Sequence, residues 1–243
     1  MDTCVGMGVR RNSSDWRSVM FYYDLPYLLI ALLSMVLGAI TQGYINSAYR
    51  KWSQVPTSLS GTGADVARRM LDSNGASEVG ITRIGGHLTD NYDPRDNMLH
   101  LSNDNYGSGT VASVAVACHE AGHAIQNATG YGLMRLRTAL VPAVSFTSRT
   151  WGLLFIAGIM FNIMGLLKLA VAFFAVSVLF HLVTLPVEID ASRRAVQYLG
   201  TVSDIDQAGA KEVLTAAALT YVAAALISVL QLMYYMSRTR DRD

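Results

Sequence analysis

Hydrophobic and polar positions along this chain fall into two kinds of stretch. Long runs with almost no charge alternate with segments in which apolar positions recur periodically among polar ones. Leu25 to Tyr44 is the first uncharged run, about 20 residues and long enough to cross a bilayer. Tyr22, Tyr23 and Tyr27 at one end, and Tyr44 and Tyr49 at the other, stand where interfacial anchors belong. A cleaved signal peptide is the alternative. The length of the run and the lack of a small-residue cleavage site before Arg50-Lys51 argue against it. Trp151 to Leu185 is the second run, 35 residues with Lys168 as its single charge. It is too long for one ordinary span and short for two. Gly165 and Lys168 near its middle suit the turn of a tight hairpin, and Pro186 is expected to end the second arm. Val213 to Tyr235 is the last apolar helix, followed by Arg238, Arg240 and Arg242. The pattern predicts four transmembrane helices.

The intervening segments read differently. Ser58 to Gly63 is a loop from which Thr62 or Gly63 opens a helix that runs to Ser73 and stops at Asn74-Gly75. Ile81 to Leu88 is a weak strand candidate, Asn91 to Asn97 is dense in turn residues, and Met98 to Ser102 alternates as a strand does. Thr110 to Asn127 is a long helix with Val111, Val114, Cys118 and Ile125 on one face. Leu133 to Ser148 is amphipathic, Val187 to Leu199 is a polar helix, and Gly200 to Gly209 is a loop. The expected fold is mainly α, an integral membrane protein with about four transmembrane helices and a small α+β domain at one membrane face. It divides into a disordered tail (1–19), a first span with its flank (20–49), the α+β domain (50–150), the hairpin (151–185), a helix and loop (186–212) and a last span with a basic tail (213–243). Met20 is a plausible true start.

Composition supports the membrane reading. Hydrophobic residues make up 51% of the chain and charged residues 15%, values outside the usual range of a soluble domain. The net charge of +1, with no basic patch interleaved with aromatics, gives no case for nucleic acid. Two cysteines, Cys4 and Cys118, cannot form a disulfide framework.

The candidate chemistry sits in the long helix, at His119-Glu120-Ala121-Gly122-His123. Residues four apart on a helix lie one turn above each other, so two imidazoles can reach one tetrahedral Zn²⁺ ion. Glu120 then stands beside the metal as a base for an activated water. With five His and four Glu in the chain, random order gives roughly 0.002 such matches. Cys118 is discounted as a ligand because adjacent helical residues point about 100° apart.

A catalytic zinc usually has three protein ligands and one open position. His87, His100, His181, Glu188 and several Asp are available for the third. Glu188 follows the apolar hairpin. Two crossings return the chain to the face that holds His119, whereas one crossing would strand Glu188 on the other side. A shared zinc therefore requires the hairpin that the run length only suggests. His87 and His100 read as polar positions of the strand region, and His181 as a bond to a neighbouring helix.

The stretches LTDNYDPRDNMLHLS (88–102), CHEAGHAIQNATGY (118–131), LRTALVPAV (136–144), LVTLPVEIDASRRA (182–195) and AAALTYVAAAL (216–226) resemble the YugP-like family of bacterial membrane zinc metallopeptidases. The likeness runs from about Met20 to the last helix. That family is similar to the heat-shock membrane protease HtpX and to prenyl-protein endopeptidases. The resemblance implies His119, His123 and Glu188 as zinc ligands and Glu120 as catalytic base. Those relatives often carry an Asp one turn beyond the glutamate ligand, where it can orient a histidine. Here that position is Ser192, and the nearby Asp190 lies off that face.

The expected activity is zinc-dependent endopeptidase cleavage by a water activated at one zinc per chain, with Glu120 as general base, in a setting of membrane-protein quality control. Tyr106, Tyr131 and Tyr221 are candidates for the donor that stabilises the oxyanion. The alternative is a zinc-binding membrane scaffold or partner-binding protein without hydrolytic activity. A bilayer and a protein or peptide substrate are the expected partners, and an exposed strand can pair with an extended substrate. Lys and Arg divide 12 on the active-site face to 7 on the other, or 12 to 4 counted from Met20. That bias points to a multi-pass protein of the cell membrane with a cytoplasmic active site.

Overall fold

Ten elements build the structure, a computed structural model that describes residues 25–240. The expected tail, the start at Met20 and the Tyr22 and Tyr23 anchors lie outside the described residues. In chain order the elements are α1 (Leu25–Trp52), α2 (Gly63–Ser73), β1 (Gly80–Ile84), β2 (Asn91–Asp93), β3 (Met98–Ser102), α3 (Asn103–Gly107), α4 (Val111–Ala128), α5 (Gly132–Met160), α6 (Met164–Gly200) and α7 (Asp204–Arg240). The fold is mainly helical, and α1, α5, α6 and α7 are each long and apolar enough to cross a membrane. α5 packs on α6, α6 on α7, and α7 on α1.

The hairpin differs from its expected form in three ways. Its turn is Phe161–Ile163, where Asn162 takes a positive φ of 57°, rather than Gly165–Lys168. Its first arm begins at Gly132, because the amphipathic stretch and the apolar run form one helix. Its second arm does not stop at Pro186 but runs through it to Gly200. A proline inside a helix loses one backbone hydrogen bond, and packing against neighbouring helices can sustain that loss. The loop expected at Gly200–Gly209 contracts to Thr201–Ser203, since α7 starts at Asp204. Arg149 falls inside α5 rather than in a loop, as do Arg135 and Arg137 nearer its start.

Helix length sets how far the second arm of the hairpin reaches. The 37 residues of α6 span about 55 Å, against a hydrocarbon core of about 30 Å. The C-terminal part of α6 continues as one rod and packs against α4. His181 Nδ1 lies 2.8 Å from Ser228 Oγ, tying α6 to α7 as expected of that histidine.

Outside the hairpin, α4 is the central element. It packs against α2, the sheet, α6 and α7. Its alanines and the fully buried Val114 and Cys118 meet Val66, Leu71, Leu99 and Val187 in one core. α2 starts at the Thr62 capping box, closed by Asp65. The sheet has the order β1-β3-β2, with β1 parallel and β2 antiparallel to β3. β2 lies within the segment whose composition reads as turn. Tyr92 explains its place, because it is buried under α4 and its hydroxyl accepts from Asn127 Nδ2 at 2.9 Å.

Candidate metal centre

Thr110 opens α4 with a reciprocal cap. Its hydroxyl accepts from Ser113 N, and Ser113 Oγ accepts from Thr110 N. Two turns further on, the helix presents His119 and His123 on one face, their rings edge to face with centroids 4.8 Å apart. α6 crosses α4 at Gly122. A Cβ on that residue would lie 2.7 Å from the Ala191 carbonyl oxygen and 3.1 Å from Ala191 Cα. Glycine is therefore what lets the two backbones come this close.

The crossing delivers Glu188 to the histidines. Its Oε2 is 3.2 Å from His119 Nε2 and 3.4 Å from His123 Nε2. All three donor atoms lie within 4.8 Å of one another. These separations test whether zinc fits. With bonds of about 2.05 Å in a tetrahedral site, donor atoms sit about 3.3 Å apart. Both Glu188 separations match that edge, and two nitrogens with one carboxylate oxygen form a set suited to a catalytic zinc with one open position.

The histidine tautomers follow from the next layer. Gln126 is fully buried, and its amide nitrogen donates to Val187 O at 2.8 Å and to Asp190 Oδ2 at 3.0 Å. Both of its N–H groups are thereby used, so its Oε1 faces His123 Nδ1 at 3.0 Å and accepts a hydrogen bond from that N–H. Arg194 Nε holds Asp190 in turn at 2.6 Å. Ser192 Oγ lies 3.1 Å from His119 Nδ1. The His123 ring thus keeps Nε2 free toward Glu188, and the Ser192 hydroxyl can accept from His119 Nδ1 to give that ring the same tautomer. Asp190 is off the ligand face, as expected, yet it still supports a histidine through Gln126. Ser192 lies one helical turn beyond Glu188.

Glu120 is nearly buried, and burial pushes its carboxyl up to about 7. The His119 ring offsets part of that rise, whereas Glu188 and Asp90 add to it. Asp90 is fixed beside β2 by Ser102 N at 2.7 Å and Asn105 Nδ2 at 2.8 Å, and Asn105 Oδ1 accepts from the Tyr49 hydroxyl. Tyr49 also lines an open cavity of about 700 Å³ between the C-terminal half of α1 and the loop after β1.

The remaining candidates separate clearly. His87 and His100 pair with Asp104 and Asp96 in the strand region. Cys118 is fully buried in the core, and burial pushes its thiol well above the ordinary range, which disfavours a thiolate ligand. Tyr106 lies under the Arg83 guanidinium, 4.7 Å from its ring centroid, and Tyr131 packs against the core at the start of α5. Tyr221 is the tyrosine whose hydroxyl faces Glu188. Gln126 and Arg137 were not singled out by sequence reasoning. Gln126 carried a signal, since it follows His123 by three positions on one helix; Arg137 carried none beyond its charge.

Residues 27–240 match the family described as "Putative neutral zinc metallopeptidase". The chain belongs to this neutral zinc metallopeptidase family. It is 38% identical over 213 residues to a protein of Bacillus subtilis (strain 168) named "Putative membrane protease YugP", a match covering 86% of this chain and 95% of that relative. No solved structure matches. The family match spans α1 to α7 and so includes both the α4 histidines and Glu188 of α6.

Proposed function

We propose that this chain is an integral-membrane zinc endopeptidase in which His119, His123 and Glu188 hold the metal and Glu120 is the general base. The observation that carries the reading is the crossing of α4 and α6. It brings a carboxylate to tetrahedral spacing from each of two imidazoles, with an ionisable glutamate beside them. Zinc, when bound, lowers the pKa of water toward about 7 and polarises a carbonyl. Glu120 accepts the proton of the attacking water and returns it to the departing amine. A carboxyl whose burial raises its pKa toward neutrality can do both. Ser192 and Gln126 hold the two imidazoles in the tautomer that presents Nε2. Tyr221 is the tyrosine placed to donate to the developing oxyanion.

The site lies at one membrane face, where α6 leaves the bilayer. From Met164 to Glu188 is 24 residues, a rise of about 36 Å, just more than the hydrocarbon thickness. Basic residues concentrate on that side, which supports a cytoplasmic site by the positive-inside rule. β2 is an edge strand whose flanking Asp90 is near Glu120, so an extended substrate can pair with it and reach the base. Membrane proteins presenting an unfolded segment at this surface are the substrates that this arrangement suits, consistent with a role in quality control.

Purified protein in detergent or nanodiscs, loaded with zinc, should cleave an unstructured peptide or a denatured membrane protein. Glu120→Gln should keep one zinc and lose cleavage. Cleavage by Glu120→Gln at the wild-type rate refutes the mechanism. Zinc binding with no cleavage by wild type in either assay favours the scaffold reading.

A further inference from the structure

We propose that Arg137 is a catalytic residue that binds the scissile carbonyl oxygen as it gains negative charge. This rests on the peptidase reading above. Arg137 enters the site from the second turn of α5, an element that supplies none of the three ligands. The two oxygens of Glu188 divide between two tasks. Oε2 faces the histidine nitrogens at 3.2 and 3.4 Å, and Oε1 faces Arg137 Nη2 at 3.7 Å. At 3.7 Å the guanidinium is an electrostatic neighbour and not a hydrogen-bond donor to Glu188. Its donors are therefore not used up by holding the ligand.

The other end of the guanidinium has an unmet demand. Arg137 Nε is buried and has no hydrogen-bond partner among the described residues. A buried N–H left unpaired costs free energy, so this guanidinium calls for a partner that the described residues do not supply. The side chain is 29% exposed, so it is reachable from outside, unlike Glu188 at 3%. Its field also reaches Glu120.

Charge arithmetic points the same way. One Zn²⁺ with ionised Glu188 and Glu120 would be neutral overall, and Asp90, whose field reaches Glu120, adds a negative charge that Arg137 offsets. A cation at this position favours an anionic transition state over a neutral peptide, which is the condition for raising kcat rather than tightening substrate binding. The role of Arg137 complements that of Tyr221, a neutral donor on a different helix.

The test uses full-length protein in nanodiscs, with Arg137→Ala, Arg137→Lys and Tyr221→Phe. Zinc stoichiometry is measured first. Cleavage of one peptide with its C-terminus either amidated or free, and binding of a phosphinic peptide, an analogue of the tetrahedral state, are then compared. Arg137→Ala should keep one zinc and lose kcat by about 10²–10³-fold with KM changed little. Its affinity for the phosphinic peptide should fall by a similar factor, with Arg137→Lys intermediate. Loss of zinc in both Arg137 variants would make the residue a support for Glu188 and overturn the proposal. So would unchanged phosphinic-peptide affinity, or a defect confined to peptides with a free C-terminal carboxylate. If wild type cleaves nothing, the peptidase reading fails, while phosphinic-peptide binding still decides what Arg137 recognises.

Discussion

Replacing Gly122 by alanine should weaken the metal centre without touching any ligand. The added Cβ would stand 2.7 Å from Ala191 O, whereas ordinary contact begins at 3.4 Å. The helices must part by the difference, about 0.7 Å. The obstructing atoms are the Ala191 backbone oxygen, Cα and carbonyl carbon, so no side-chain rotation relieves the contact. Ala191 is three residues from Glu188, and Gly122 lies between the two histidines. A shift of that size widens donor separations that now match a tetrahedral edge, and metal–ligand distances tolerate only about 0.2 Å. The cost of overpacking is about 1–3 kcal/mol. Zinc affinity should fall by at least tenfold. Helix propensity alone predicts the opposite sign, since alanine is favoured over glycine in a helix interior by about 0.8–1 kcal/mol. Thermal unfolding of zinc-free protein and zinc competition with a chelator, both in the same detergent, read the two quantities. A stabilised Gly122→Ala protein with unchanged zinc affinity would refute the close-crossing argument.

Two further outcomes follow from the same geometry. Gln126→Leu removes the acceptor for His123 Nδ1 and leaves Val187 O and Asp190 without their amide donor, so zinc affinity should fall by about 10–100-fold in chelator competition. In zinc-free protein, Glu120 has a pKa of about 7 when folded, above its unfolded value, so the folded state holds the extra proton and stability falls as pH rises between the two. Glu120→Gln should therefore stabilise the zinc-free protein at pH 8 by up to a few kcal/mol and leave it unchanged at pH 4, measured by denaturant unfolding; equal stabilisation at both values contradicts the burial argument.

The sequence carried the centre of the site because its signals are local or topological. His119, Glu120 and His123 follow from helical spacing, and Glu188 follows from the need to return to the same face. β3 and the start of α2 were legible from alternation and from Thr62. Pro186 misled, because a rule for isolated helices ignores the packing that carries α6 through it. Gly165 misled similarly, since the turn formed three residues earlier around Asn162. The relay from His123 through Gln126 to Asp190 joins residues about 60 positions apart, and no local pattern reports it. Arg137 was invisible for a related reason, as its meaning comes from where α5 begins relative to Glu188.

The most direct test of the account is X-ray absorption at the zinc edge on the full-length protein in nanodiscs. The account predicts four light donors at about 2.0–2.1 Å, including two imidazoles, with the spectrum altered and zinc weakened in Glu188→Ala. A sulfur shell at about 2.3 Å, or a spectrum that Glu188→Ala leaves unchanged, would contradict it.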